Sequence, residues 1–235
     1  AFMNNPKSGV KIMDWEVGAS GYAAVWATEN TREALWDAMQ RKETYATTGP
    51  RMTVRLFGGF DFEAADANAA TLAKTGYAKG VPMGGDLKAA PAGKAPSFLL
   101  AAMKDAIGAN LDRYQIVKGW MDKDGKLHEK VYDVSWSAGR SPDPKTGKVP
   151  AVGDTVNIAD ASYTNTIGAS ELIAVWTDPD FDPSVSAFYY GRVFEIPTPR
   201  WTAYDVKRFK NTPLEGTRMS LQERAYTSPI WYSPK

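Results

Sequence analysis

Apolar and polar positions alternate with different periods along this chain, and the change of period predicts most of its elements. A short run rich in Ala, Val and Trp, SGYAAVWAT from Ser20 to Thr28, reads as a largely covered strand. Asn30 with Glu33 three residues on has the form of a capping box. Leu35, Ala38, Met39 and Lys42 then recur at helical spacing, with Arg32, Asp37, Gln40 and Arg41 on the opposite side. This predicts a helix that Gly49-Pro50 brings to an end, because Pro biases the residue before it away from helical angles.

From Arg51 onward the period shortens to two. Met52, Val54 and Leu56 alternate with Thr53, Arg55 and Phe57. The segment Glu63 to Ala95 is rich in Ala, Gly and Lys, carries little apolar bulk, and is expected to include a long loop around KGVPMGGDL. SFLLAAMKDA follows as a strand, and then LDRYQIVKGWMDKDGKLHEKVYDVSWSAG gives two alternating runs joined at Asp124-Gly125, the signature of a β-hairpin. Further strands are expected at TVNIADASY, ASELIAVWTD and SAFYYGRVFEIPT, with a short helix or turn at WTAYDVKRF and a last apolar piece at TSPIWYSP. Seven or eight short strands after one strand–helix unit predict a mainly β protein, a β-sandwich preceded by a remnant of something α/β.

Composition narrows the chemistry. With 28 Lys plus Arg against 27 Asp plus Glu, the net charge of +1 supplies no basic excess for nucleic acid or a membrane surface, so neither is expected as a partner. The chain has no Cys, which excludes disulfides, thiolate catalysis and Cys-based zinc sites. A single His, His128, excludes a multi-His metal centre built from this chain alone.

Several stretches carry candidate chemistry. TTGPR places two hydroxyls, Thr47 and Thr48, beside Gly49 and the Arg51 guanidinium, groups suited to a phosphate or carboxylate. It lacks the Lys-Ser/Thr ending of a phosphate-binding P-loop, and a helix stop followed by a strand explains it as well. Asp178, Asp180 and Asp182 in DPDFDPS alternate in a Pro-bounded loop and are candidate ligands for a hard cation, although Asp-Pro steps also start ordinary turns. DKDG at Asp122 to Gly125 begins like a calcium loop but reads better as the hairpin turn, and His128 reads as a partly exposed strand residue. Trp120 and Trp136 are expected as cross-strand core pairs, whereas exposure of Trp201 or Trp231 would favour a surface that stacks on sugars. EIPTPRW and QERAYTSPIWY bring Glu195, Arg200, Glu223 and Arg224 to strand ends, where they either fasten the C-terminus or line a site.

The phrases GYAAVWATENTREALWDAMQRKETYATTGPRM, QIVKGWMDKDGKLHEKVYDVSW, ELIAVWTDPDFDPSVSAFYYGRVFEIPTPRW and QERAYTSPIWY closely resemble the C-terminal part of the bacterial domain-of-unknown-function family 3604. That family is similar to the PHP superfamily (polymerase and histidinol phosphatase), metal-dependent phosphoesterases on a distorted β/α barrel. The resemblance implies that residues 1–51 are the last strand and helix of such a barrel and residues 52–235 an appended β-sandwich-like domain. It also implies divalent metal ions for the complete protein, held by His- and Asp-rich motifs upstream of this chain, and a phosphoester substrate. On this reading the partner is the upstream barrel portion of the same protein. Thr48, Arg51, Arg200 and Trp201 are the expected substrate-binding residues, and the chain has no complete active site of its own. The alternative is a non-catalytic module for carbohydrate or peptide.

Overall fold

A computed structural model describes residues 3–5, 9–13, 16–17 and 21–234. In chain order β1 (Met3–Asn5) and β2 (Val10–Ile12) pair with each other, and β3 (Tyr22–Val25), α1 (Arg32–Gln40), β4 (Thr44–Thr47) and β5 (Thr53–Gly59) follow. Next come a 3-10 turn (Ala64–Asn68), α2 (Leu72–Lys79), β6 (Gly80–Pro82), β7 (Asp86–Leu87) and β8 (Ser97–Met103). The long hairpin is β9 (Leu111–Met121) and β10 (Leu127–Trp136). The chain finishes with β11 (Glu171–Thr177), β12 (Ala187–Glu195), β13 (Thr198–Pro199), α3 (Trp201–Phe209), β14 (Ser220–Leu221), β15 (Arg224–Thr227) and β16 (Ile230–Tyr232).

Two sheets form the body. The larger runs β10-β9-β12-β15-β4-β3, with β16 pairing β12 and β7 pairing β16, and the smaller runs β11-β8-β5-β6. Alternation decides what each buries. Tyr114 and Ile116 of β9, Tyr189 and Val193 of β12 and Ile230 of β16 meet Val54 and Leu56 of β5 and Phe98 and Leu100 of β8, all essentially without solvent contact. Burying a side chain of this size contributes roughly 1.5–3 kcal/mol. The Tyr114 hydroxyl donates to the Arg55 carbonyl at 3.2 Å and pins one sheet to the other. Its ring lies across Gly191, where a Cβ would fall 2.3 Å from the Tyr114 hydroxyl oxygen. The opposite face of the smaller sheet is covered by α2 around Phe57, Phe62 and Leu99. The architecture is therefore the mainly β sandwich that the alternation predicts.

The hairpin forms as expected, with Gly125 at φ +78° in its turn and a bulge between Asp133 and Ser135. The register sets Trp120 opposite His128 and Trp136 opposite Arg113, so the two tryptophans do not pair with each other. The expected helix is shorter than its pattern. Thr31 is its N-cap, accepting from the Ala34 amide at 3.3 Å, and the helix ends at Gln40 rather than at Gly49-Pro50. Lys42 adopts φ +58°, the Lys42 amide donates to Met39 and the Glu43 amide to Ala38, a left-handed stop that turns the chain into β4. Two further expectations are corrected. KGVPMGGDL, expected as a long loop, carries β6 and β7 about a short turn, and TVNIADASY makes one isolated bridge, Asn157 to Ser162, in place of a strand. Of the expected first strand, Ser20 lies outside the described residues.

Residues on the two sides of Arg51 are packed together. β4 pairs β15 and β3 pairs β4, so both lie in the larger sheet. The Trp26 indole donates to the Val54 carbonyl at 2.9 Å, and the Arg55 guanidinium sits 3.3 Å over the Trp26 ring. Buried Glu43 completes this cluster, pairing with Arg55 at 3.2 Å and accepting from the Tyr77 hydroxyl. The TTGPR stretch is the crossover from the larger sheet to the smaller.

Candidate functional site

Strand register brings the candidate residues to one pole of the sandwich. Thr53 and Glu171 both align with Met103, Leu111 with Glu195, and Thr47 with Ala225, so the β4–β5 crossover, the 104–110 turn and the segment before β15 meet there. A cleft of about 880 Å³ opens at this pole, with Tyr22, Gly49, Arg51, Lys104, Asp105 and Ile107 in its wall.

The cleft is shaped by short side-chain-to-backbone bonds. Asp105 accepts from the Arg51 amide at 2.7 Å and from the Ile107 amide at 3.1 Å, and the first of these is the main reason its carboxyl is held below the usual carboxylate range. Lys104 donates to the carbonyls of Asp105 and Gly108 at 3.1 and 2.9 Å and fixes the turn. The Arg51 guanidinium lies 5.6 Å over the Tyr22 ring. Arg51 makes no ion pair among the described residues; its charge faces the cleft beside the Asp105 carboxylate, which it helps to keep ionised. That suits an anionic group.

Behind the 104–108 turn lies Glu195, the last inward-facing residue of β12. It is 1% exposed, and its Oε1 has no hydrogen-bond partner. Burial, reinforced by the nearby Glu223 and Asp105 carboxylates and opposed by Lys104, pushes its carboxyl up to about 8. Glu223 is held by the Thr48 hydroxyl, while the Thr48 amide donates to the Arg224 carbonyl at 2.9 Å. Glu195 and Asp105 are thus two carboxyls at one pole whose environments drive their protonation apart, burial acting on the first and backbone amides on the second.

Four sequence candidates are distributed unequally over this site. Arg51 lines the cleft, and Thr48 stands at its margin with its hydroxyl committed to Glu223. Arg200 and Trp201 open α3 and stack at 5.6 Å, but neither is in the cleft wall. Among the described residues no ion pair joins Arg224 to Glu195 or Glu223; Arg224 instead lies 5.2 Å over the Phe194 ring on the outer side of the larger sheet. Asp105 and Lys104 carry no motif, and only the pairing of β8 with β5 brings them to Arg51.

The three alternating aspartates are each drawn to separate partners. Asp178 is buried against Lys118 at 2.6 Å and accepts from the Tyr189 hydroxyl at 2.7 Å. Asp180 binds Lys130 and the Tyr132 hydroxyl, and Asp182 accepts from Ser184. Among the described residues no group of three or more His, Asp or Glu side chains is placed to hold a metal ion. His128 is half-buried, stacked at 5.1 Å on Trp120 and bonded through Nε2 to Asp122 at 2.6 Å.

The model of the family described as Protein of unknown function (DUF3604) matches residues 2–234. The chain belongs to this family. No curated protein and no solved structure matches it. DUF3604 membership thus spans both sheets, the Arg51 cleft and the buried Glu195 behind it.

Proposed function

We propose that this chain is the C-terminal portion of a PHP-like metal-dependent hydrolase acting on a phosphoester, and that it supplies positioning groups while the metal ligands belong to an upstream barrel portion. The observation that carries this reading is the face of α1. Ala34 and Ala38 are its buried residues, whereas Trp36 and Met39 are 60% and 52% exposed beside a groove of about 710 Å³ that Leu35 also lines. A helix that turns its largest apolar side chains away from its own sandwich is suited to packing in a larger body. The DUF3604 match and the four resembling phrases supply the family context for that body.

The donor set of this chain does not fit the metals that such chemistry needs. It has one His, engaged by Asp122 and Trp120, and among the described residues no carboxylate group converges on a common point. Its own contribution is the Arg51 guanidinium and the Asp105 turn, which would hold an anionic substrate oxygen and exclude water beside it. Replacing Trp36 and Met39 together by Asp tests the reading. The substituted chain is expected to keep its circular dichroism and to bind the separately produced upstream portion at least about tenfold more weakly. Unchanged association would overturn the proposal.

A further inference from the structure

The outer face of the larger sheet carries an arrangement that neither the core nor the cleft uses. Along β12 the outward residues are Phe188, Tyr190, Arg192 and Phe194, half-buried in turn, and Trp231 of β16 lies beside Phe188. The Phe188 and Tyr190 rings are nearly parallel, at 12° and 6.4 Å between centroids, and Trp231, 46% exposed, lies 5.2 Å from Phe188. Gly119 permits this: a Cβ there would fall 2.3 Å from the Phe188 ring, so the ring lies flat over the neighbouring strand. The result is an aromatic face on which Phe188 and Tyr190 lie side by side, with Trp231 tilted at 49° to Phe188 over a cavity of about 460 Å³ that Glu129 also lines.

Charge is concentrated at the other end of the row. Phe194 has Arg192 and Arg224 over its ring, each at 5.2 Å. In the register Arg192 faces Tyr226 and Phe194 faces Arg224, which sets the two arginines on a cross-strand diagonal, with a backbone spacing of roughly 7–8 Å. Among the described residues neither makes an ion pair; Arg192 donates from Nε and Nη2 to Gln115 Oε1 at 2.9 and 2.7 Å, and the Arg224 guanidinium donates to the Tyr226 hydroxyl at 3.4 Å. Gln115 is itself anchored, since its amide donates to Asp133 at 2.7 Å. Beside Arg192 a cavity of about 180 Å³ is lined by Lys148, Arg113, Gln115, Asp133 and Val149. The only carboxylate there, Asp133, is consumed by Arg113, Gln115 and the Val149 amide. Arg192 and Lys148 are left as unneutralised cations around a polar hole. Two like charges bordering one small polar cavity repel each other until an anion joins them.

We propose that this face binds an acidic saccharide chain, its carboxylate or sulfate seated between Arg192 and Lys148 and its rings lying on Tyr190, Phe188 and Trp231. Flat sugar faces match a platform of side-by-side rings, and a guanidinium presents paired donors to a planar anion. A single-stranded nucleic acid also stacks on aromatic rings, but it needs a cationic track along its phosphates, and here the unpaired cations cluster at one end of a chain whose net charge is only +1. The inference is independent of the hydrolase reading.

Calorimetric titration of the chain tests it with four probes: an oligogalacturonide, its methyl ester, a sulfated galactan oligosaccharide and an oligothymidylate. One or both acidic saccharides are expected to bind at least about tenfold more tightly than the ester and the oligonucleotide. Binding of only one of them identifies the substituent. Lys148→Ala, at an exposed position, and Trp231→Ala should each weaken that binding several-fold with the melting temperature unchanged. Arg192→Met should abolish the preference for acid over ester. Equal binding of acid and ester, tighter binding of the oligonucleotide, or no binding of either acidic saccharide would overturn the proposal.

Discussion

Glu195 concentrates the electrostatics of the molecule in one side chain. It faces inward because β12 alternates, it is the last of that strand's inward positions, and the turn at Gly108 covers it. Its folded carboxyl titrates at about 8, above the ordinary value of 4.5. Below pH ~4 both the folded and unfolded chains hold the proton, and the contribution to stability is fully present. As pH rises the unfolded chain releases its proton first, so stability falls between about pH 4.5 and 8 and then levels off. The loss is on the order of 3–5 kcal/mol at ~1.4 kcal/mol per pH unit. Glu195→Gln keeps the shape of the neutral carboxyl and removes its titration. Denaturant unfolding of this variant is expected to show a flatter dependence over that window and greater stability than the parent at pH 9, and a parallel pH curve would contradict the assignment. Sequence proximity made Thr48 and Arg51 readable as a pair, whereas Glu195 and Asp105 are brought to them only by strand register. The three alternating aspartates point to separate partners: Asp178 and Asp180 reach lysines and tyrosine hydroxyls remote in sequence, and Asp182 caps its own turn at Ser184.

Elements differ in how openly their boundaries are written. The β9–β10 hairpin was legible because two alternating runs flank an Asp-Gly turn, and both signals agree. The end of α1 was not, since its stop is made by Lys42 in the left-handed region and not by glycine, and Thr44, Tyr45 and Thr47 then favour a strand that the helical pattern had absorbed. α2 escaped notice because it is short and carries Gly76 in its interior, where the ring of Phe57 leaves no room for a Cβ. TVNIADASY has strand-forming residues but no neighbouring strand to complete its ladder. The Lys42 stop gives a prediction at this scale. A non-glycine residue in that conformation costs roughly 1–2 kcal/mol, so Lys42→Gly is expected to raise the melting temperature by about 2–8 °C in a calorimetric scan. A fall would show that the Lys42 side chain contributes more than its backbone costs.

For the whole molecule, alternation of period two predicted two sheets, and the structure resolves how they share the chain. β3 and β4 lie at one edge of the larger sheet, and TTGPR crosses to the smaller one, so α1 is held between a sandwich on one side and open solvent on the other. One pole carries the Arg51 cleft, and the outer face carries the aromatic and cationic row. The proposed division of labour, metals upstream and positioning groups here, is tested most directly by the metal content and phosphodiester turnover of this chain alone, purified after incubation with Mn²⁺, Zn²⁺ or Mg²⁺. The account predicts no stoichiometric metal retained after dialysis and no turnover above buffer. Tight retention of one or more metal ions per chain together with turnover would contradict it.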